Sequence, residues 1–260
     1  MEIIKELSRM CSNMYRLGWH ERNGGNISII LDDADTGGFK RATRVFPIGF
    51  DASELSGKHI LITSSGSYFK NIETNQTENL GIVRISKDGK KAELVWGFVN
   101  GGMPTSEFPT HLMCHIERLK KNPTNKVIIH SHPTHTLAMN AVHKLESREF
   151  TRSLWKACSE CIVIFPDGVG VLPWMVCGTN EIGAETAEMM KQHRIVMWGM
   201  HGIYACGKNL DEAFGLIETV EKAAQLYMIS SHLPKINTIT DKQLKQLAEH
   251  FNVDYRKDFI

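Results

Sequence analysis

The sequence predicts an α/β fold in a single domain, residues 1–260, with a central mixed sheet covered by helices. Two observations carry this. Short β-branched apolar runs, among them 59–63, 127–129 and 195–198, alternate with longer segments whose apolar residues recur at helical spacing. Two further runs, 79–86 and 92–98, are joined around Lys87-Asp88-Gly89-Lys90, and Asp-Gly is a strong hairpin signal, so the sheet is not purely parallel. No stretch of the chain reads as an interdomain linker, an internal repeat or a low-complexity tract.

The elements follow in order. Ile3, Leu7, Met10, Met14 and Leu17 make one face of an amphipathic first helix, which Gly18 ends as a left-handed cap. Asn23-Gly24-Gly25-Asn26 is a tight loop into the strand 27–31. Residues 32–52 mix Asp, Gly, Arg, Lys and Pro and read as an irregular surface excursion. The strand 59–63 runs into Ser64-Ser65-Gly66-Ser67, and the hairpin follows. Pro104-Thr105-Ser106-Glu107 opens a helix with Phe108, Leu112, Ile116 and Leu119 on one side, stopped by Pro123. The strand 127–129 is followed by helices at 137–142 and 150–157. The run 161–165 reads as a buried strand. Gly178-Thr179-Asn180 precedes a helix to about His193, and 195–198 is another strand. Asn209 and Glu212 form a capping pattern at the head of a long helix, and Thr240 and Gln243 form a capping box for a last one.

Composition narrows the function. Hydrophobic residues make up 42% and charged residues 23%, ordinary for a globular chain. Thirty basic against 29 acidic residues give a net charge of +1, which argues against a nucleic-acid footprint. The first helix is not a signal peptide, and the longest apolar stretch, 161–177, is broken by Asp167 and two prolines. The expectation is a cytoplasmic protein without membrane or nucleic-acid partners. Of six cysteines, Cys158 and Cys161 have C-x-x-C spacing. A structural zinc site would need a second such pair, so they read as packed free thiols, with a redox pair as the alternative.

The chemistry centres on Val127-Ile128-Ile129-His130-Ser131-His132. Strand side chains alternate between faces, so His130 and His132 project together from a strand end. His201 also lies just past an apolar strand. Three imidazoles leaving a fourth position open is the pattern of a catalytic zinc site. The plainer alternatives are two half-exposed strand-end histidines and a turn histidine bonded to backbone. The other nine histidines read as helix-surface or loop residues. Glu107, in the first turn of its helix, is either an ordinary N-terminal acid or a general base aimed at a metal-held substrate. The 23–26 and 64–67 loops offer backbone N–H groups for a phosphate, although neither matches a P-loop or a dinucleotide motif. Glu160 and Asp167 read, taken alone, as a solvated acid and a turn acid.

Taken together, Gly18–Asn26, Asn79–Val83, Pro104–Glu107, His130–His132, Glu160-Cys161, Phe165–Gly170 with Leu172–Met175, and His201-Gly202 resemble the zinc-dependent class II sugar-phosphate aldolases. The segments run in family order over almost the whole chain. The resemblance implies one α/β domain with a mostly antiparallel sheet, packed as a C4 homotetramer with active sites between subunits. It implies one Zn²⁺ per subunit on His130, His132 and His201, with Glu107 as catalytic acid/base. It puts the substrate phosphate among Asn23, Gly25, Asn26, Ser65, Gly66 and Ser106. It matches Glu160 to a second carboxylate near the aldehyde-derived end, often supplied by a neighbouring subunit. The implied reaction is retro-aldol cleavage of a ketose 1-phosphate to dihydroxyacetone phosphate and L-lactaldehyde, without a lysine Schiff base.

Two features depart from the family pattern. The loop 63–69 has Ser64 and Ser67 where Gly and Lys are expected, and Cys158 has no counterpart. A pentulose-phosphate 4-epimerase would share the metal site, but the 165–175 segment argues against it. A non-catalytic assembly module would be expected to lack the histidines or Glu107. A hydrolytic zinc enzyme of the H-E-x-x-H type has no matching motif here.

Overall fold

The computed structural model describes every residue except 37, 40, 235 and 236. The strands are β1 (Asn26–Ile30), β2 (Arg44–Pro47), β3 (His59–Thr63), β4 (Leu80–Ile85), β5 (Lys91–Gly97), β6 (Val127–Ser131), β7 (Val169–Leu172), β8 (Ile195–Trp198) and β9 (Gly202–Gly207). They form one sheet in the order β2-β5-β4-β3-β1-β6-β9-β8-β7. Every neighbouring pair is antiparallel except β7 with β8. The expected α/β domain with a mostly antiparallel, mixed sheet is what the chain forms.

The helices are α1 (Glu2–Arg16), α2 (Asp33–Thr36), α3 (Phe69–Ile72), α4 (Gln76–Asn79), α5 (Phe108–Lys121), α6 (Thr134–Val142), α7 (Ser147–Ala157), α8 (Glu160–Ile164), α9 (Asn180–Met190), α10 (Leu210–Ser230) and α11 (Asp241–His250). Alternation in the strands decides which of them each face receives. Ile27, Ile29, Val127, Ile129, Ile203 and Ala205 pack with the apolar sides of α1 and α10 in the largest core. The residues between them, Ile30, Ile128, Tyr204 and Cys206, face the other way, toward α5 and α9. Each fully buried isoleucine contributes about 1.5–3 kcal/mol relative to exposure. A one-residue register slip would turn both sets to the wrong face. The capping expectations hold: Gly18 has φ +77, Asn209 accepts from the Glu212 N–H, and Thr240 with Gln243 completes a capping box.

Three expectations are corrected and one further strand appears. Residues 161–165 are not a strand; they belong to α8 and the turn after it, with Cys161 and Ile162 buried. The strand is β7, drawn from the run that reads as a turn. A short apolar run has no periodicity that separates a helical turn from a strand, and here packing on the large core chose the helix. Glu160 therefore opens a helix instead of preceding a strand. Second, the 32–52 excursion contains the edge strand β2, whose residues alternate in exposure and end on Pro47, a position where an edge strand tolerates proline; residues 37 and 40 of this stretch lie outside the described residues. The further strand, β9, follows His201 directly, hidden in the sequence by its flanking glycines. Third, Glu107 is the N-cap of α5 and not a first-turn residue, and Pro109 occupies the opening turn.

Candidate metal centre

The site grows from one row of residues across the sheet. Asn26 of β1 stands opposite His130 of β6, and His130 stands opposite Tyr204 of β9. Cross-strand partners share a face, so all three side chains point toward α5. His132 follows His130 on the same side. His201 enters from the turn between β8 and β9, where Met200 has φ +57 and its N–H donates to Asn140 Oδ1 at 3.2 Å. Gly202 has to be a glycine: a Cβ there would lie 2.7 Å from carbon atoms of both His130 and His132.

The three imidazoles converge. His130 Nε2 is 3.2 Å from Nε2 of His132 and 3.2 Å from Nε2 of His201, and the ligand atoms of all three lie within 4.8 Å of one another. Their tautomers follow from the partners behind them. His130 Nδ1 faces the Ile203 carbonyl at 3.1 Å, and His132 Nδ1 faces the Glu21 carboxylate at 2.8 Å. Both partners only accept, so each Nδ1 carries the proton and each Nε2 presents a lone pair to the centre. Burial, then the neighbouring His132 and His201, hold the His130 pKa well below its ordinary value, so its ring is neutral. Burial also lowers His201, against the opposing pull of Glu107. Neutral imidazoles crowded this closely repel unless a cation sits between them. Tetrahedral ligands at about 2.0–2.1 Å from zinc stand about 3.3 Å apart. The donor set and its spacing fit such an ion.

Glu107 lies beside this cluster and is almost fully buried. Its Oε2 is 3.6 Å from His130 Nε2 and its Oε1 is 3.7 Å from His201 Nε2. Oε2 accepts from Tyr204 Oη at 2.6 Å and from Asn26 Nδ2 at 2.8 Å. Burial and the neighbouring carboxylate push the Tyr204 pKa well up, so the phenol keeps its proton and donates. Beneath Asn26, its Oδ1 meets His111 Nε2, and Ser28 Oγ joins His111 and His115 at 2.7 Å each.

The remaining sequence candidates divide. Asn23, Ser65, Gly66 and Ser106 are exposed, and Gly25 is half-buried. The Ser64–Pro104 bridge and the Ser65 N–H to the Met103 carbonyl draw the 64–67 loop against the segment carrying Ser106. Asn26 differs from the others, since both polar ends of its side chain are engaged by Glu107 and His111. Glu160 is exposed on α8, which packs with α7, α10 and α11, and its carboxylate accepts from the Cys158 thiol at 2.7 Å. Within the chain it is not among the groups gathered at the histidines. Cys158 and Cys161 are free thiols.

Sequence reasoning missed Glu21, His20, His111, His115 and Tyr204. His20, His111 and His115 are buried, not surface residues. His20 Nε2 lies 3.2 Å from the His130 carbonyl, and its ring stacks on Phe69. A signal existed for two of them. Glu107, His111 and His115 recur every four residues, one stripe of a helix facing the sheet.

The model of the class II aldolase and adducin N-terminal domain family matches residues 5–228. The chain belongs to that family. It is 51% identical, over 99% of its length and 96% of the relative's, to rhamnulose-1-phosphate aldolase of Listeria monocytogenes serotype 4a (strain HCC23). It is 49% identical to the enzyme of that name from Enterococcus faecalis (strain ATCC 700802 / V583), with 99% and 94% covered. The counterpart from Yersinia pseudotuberculosis serotype O:1b (strain IP 31758) is 43% identical, with 96% and 93% covered. Among solved structures, a sugar-phosphate aldolase from Thermotoga maritima superposes with a TM-score of 0.78 at 31% identity, over 91% of this chain and 98% of that one. An L-fuculose 1-phosphate aldolase gives 0.64 at 20% identity, over 97% of each, and shares the fold.

Proposed function

We propose that this class II aldolase cleaves L-rhamnulose 1-phosphate to dihydroxyacetone phosphate and L-lactaldehyde, with one Zn²⁺ per chain held by His130, His132 and His201. One observation carries the reading: the Glu107 carboxylate stands within 4 Å of two of three converging imidazoles. Kinship over nearly the whole chain to proteins named rhamnulose-1-phosphate aldolase supports the choice of substrate. The whole of residues 1–260 acts as one class II aldolase domain in this reading.

Zn²⁺ held by His130, His132 and His201 would supply Lewis acidity for the negative charge that develops at the C2 oxygen as the C3–C4 bond breaks. The chain supplies the rest. In cleavage a base accepts the C4 hydroxyl proton as the C3–C4 bond breaks and Glu107 delivers a proton to C3; in the reverse direction Glu107 removes the C3 proton and the C4 oxygen takes one up. Its oxygens face the imidazole nitrogens, so the proton moves next to the carbon that gains charge. The phosphate goes to Asn23, Gly25, Ser65, Gly66 and Ser106, where exposed hydroxyls, an amide and backbone N–H groups form an anion-binding rim. Asn26 lies below that rim with its side chain turned to Glu107. The aldehyde end meets Glu160 of another copy of the chain, in a cytoplasmic homotetramer. Two exposed residues support an interface there: Met200, which precedes His201 in the chain, and Trp174, whose backbone lies against Gly199; they are 60% and 65% exposed.

The test is metal-loaded protein assayed for dihydroxyacetone phosphate from rhamnulose 1-phosphate and from fuculose 1-phosphate, with and without chelator. Chelator-sensitive cleavage that favours rhamnulose 1-phosphate is expected. Preference for fuculose 1-phosphate, or full activity in His201→Ala, defeats the assignment.

A further inference from the structure

Among the described residues, several buried polar groups that the proposed reaction leaves unused cluster under Glu107. Tyr204 and Asn26 both donate to the same carboxylate oxygen, Oε2, at 2.6 and 2.8 Å. Neither donor reaches Oε1, which faces His201. Both donors are fixed from behind. Tyr204 is fully buried, with its ring stacked on His130 at 4.3 Å and against Trp198 at 4.6 Å. Asn26 is locked by β1 pairing with β6 and by His111 on its amide oxygen, which fixes the NH₂ group toward Glu107. On the backbone side, Thr105 shapes the approach to α5: its Oγ1 accepts from the Glu107 N–H at 3.4 Å and its carbonyl from the Phe108 N–H at 3.0 Å.

We infer that Tyr204 and Asn26 are positioning residues for Glu107, which anchor Oε2 and leave Oε1 as the oxygen that exchanges the proton with C3. This rests on the aldolase reading above. A carboxylate with free rotation offers either oxygen, in either orientation, to the substrate. Two charge-assisted hydrogen bonds to one oxygen, from donors held by strand pairing and ring packing, remove that freedom. The donors lie on the sheet side and the reacting carbon must approach from the open side, so the unanchored oxygen faces it. The same geometry gives Asn26 a role distinct from phosphate binding.

The test compares wild type, Tyr204→Phe and Asn26→Ala, each loaded with zinc. Three readouts are taken: kcat and KM for rhamnulose 1-phosphate, metal per chain by mass spectrometry, and thermal melting. Tyr204→Phe keeps the ring on His130 and removes only the hydroxyl. Its expected result is kcat lower by roughly 10–100-fold, KM within about threefold of wild type, and unchanged metal content, the signature of an interaction used in the chemical step. Asn26→Ala is expected to follow the same split. Combining Tyr204→Phe with Glu107→Gln should lower kcat no further than Glu107→Gln alone. Wild-type kcat in Tyr204→Phe overturns the inference, as does loss of metal from that variant, which would make Tyr204 a support of His130. A raised KM with unchanged kcat in Asn26→Ala returns Asn26 to the phosphate. Should Asn26→Ala fail to fold, Tyr204→Phe decides alone. Failure of wild type to cleave either sugar phosphate rejects the aldolase reading, whereas active wild type with undiminished Tyr204→Phe rejects only the positioning role.

Discussion

Glu21 holds the back of His132: its carboxylate lies 2.8 Å from Nδ1 while Nε2 faces the other imidazoles. A carboxylate behind a ligating histidine fixes ring and tautomer and raises the basicity of the ligating nitrogen. Glu21→Gln should therefore weaken zinc binding by roughly 10–100-fold. Competition with a chromogenic chelator measures this directly. Unaltered affinity would mean that the exposed Glu21 is only a surface partner of His132.

Glu107 is the acid/base of the proposed reaction. Glu107→Gln keeps the shape and can still accept from Tyr204. We expect kcat to fall by about 10²–10⁴-fold, with zinc content unchanged. A coupled assay for dihydroxyacetone phosphate, run beside metal analysis, checks both. Retention of more than a tenth of wild-type kcat would point to another base.

Gly25 and Gly66 both have left-handed φ, +74 and +72, but only Gly25 is crowded. A Cβ at Gly25 would lie 2.3 Å from His20 Nε2 and 2.7 Å from the His130 carbonyl, whereas one at Gly66 meets nothing within 4 Å. Gly66→Ala should cost only the backbone term, about 1–2 kcal/mol. Gly25→Ala should cost more and disturb the peptide that carries His130. Melting curves of the two variants should show the larger drop for Gly25→Ala, accompanied by loss of bound zinc. Equal melting temperatures would contradict the crowding argument.

His115 gives stability a pH dependence. Burial pushes its pKa down to about 3, from the ordinary histidine value of 6.5. Between these values the unfolded chain binds the proton and the folded chain does not. The contribution to stability is thus full above pH 6.5 and shrinks as pH falls toward 3. One such group accounts for about 2 kcal/mol between pH 6.5 and 5. His115→Asn removes the titration and should flatten the fall in melting temperature from pH 7 to pH 5. A slope equal to that of wild type would assign the acid sensitivity to other groups.

Periodicity and punctuation determined much of this protein by themselves. The residues of the hairpin around Asp88-Gly89 and the capped helices after Asn209 and Thr240 interact within a few positions of one another, so local chemistry specifies them. The convergence of the candidate ligands was legible in part for the same reason: a two-residue spacing on a strand settles that His130 and His132 point the same way. Only tertiary structure decided the rest. Residues 161–165 carry an apolar run with no period, and packing against the large core made it helical while the strand formed at 169–172. Glu107 depends on Tyr204, 97 positions away, and on Asn26, 81 away. His132 depends on Glu21, 111 positions away. Contacts of that separation leave no local pattern. They exist because strand pairing puts Asn26, His130 and Tyr204 in one row, and α5 lays Glu107 across it.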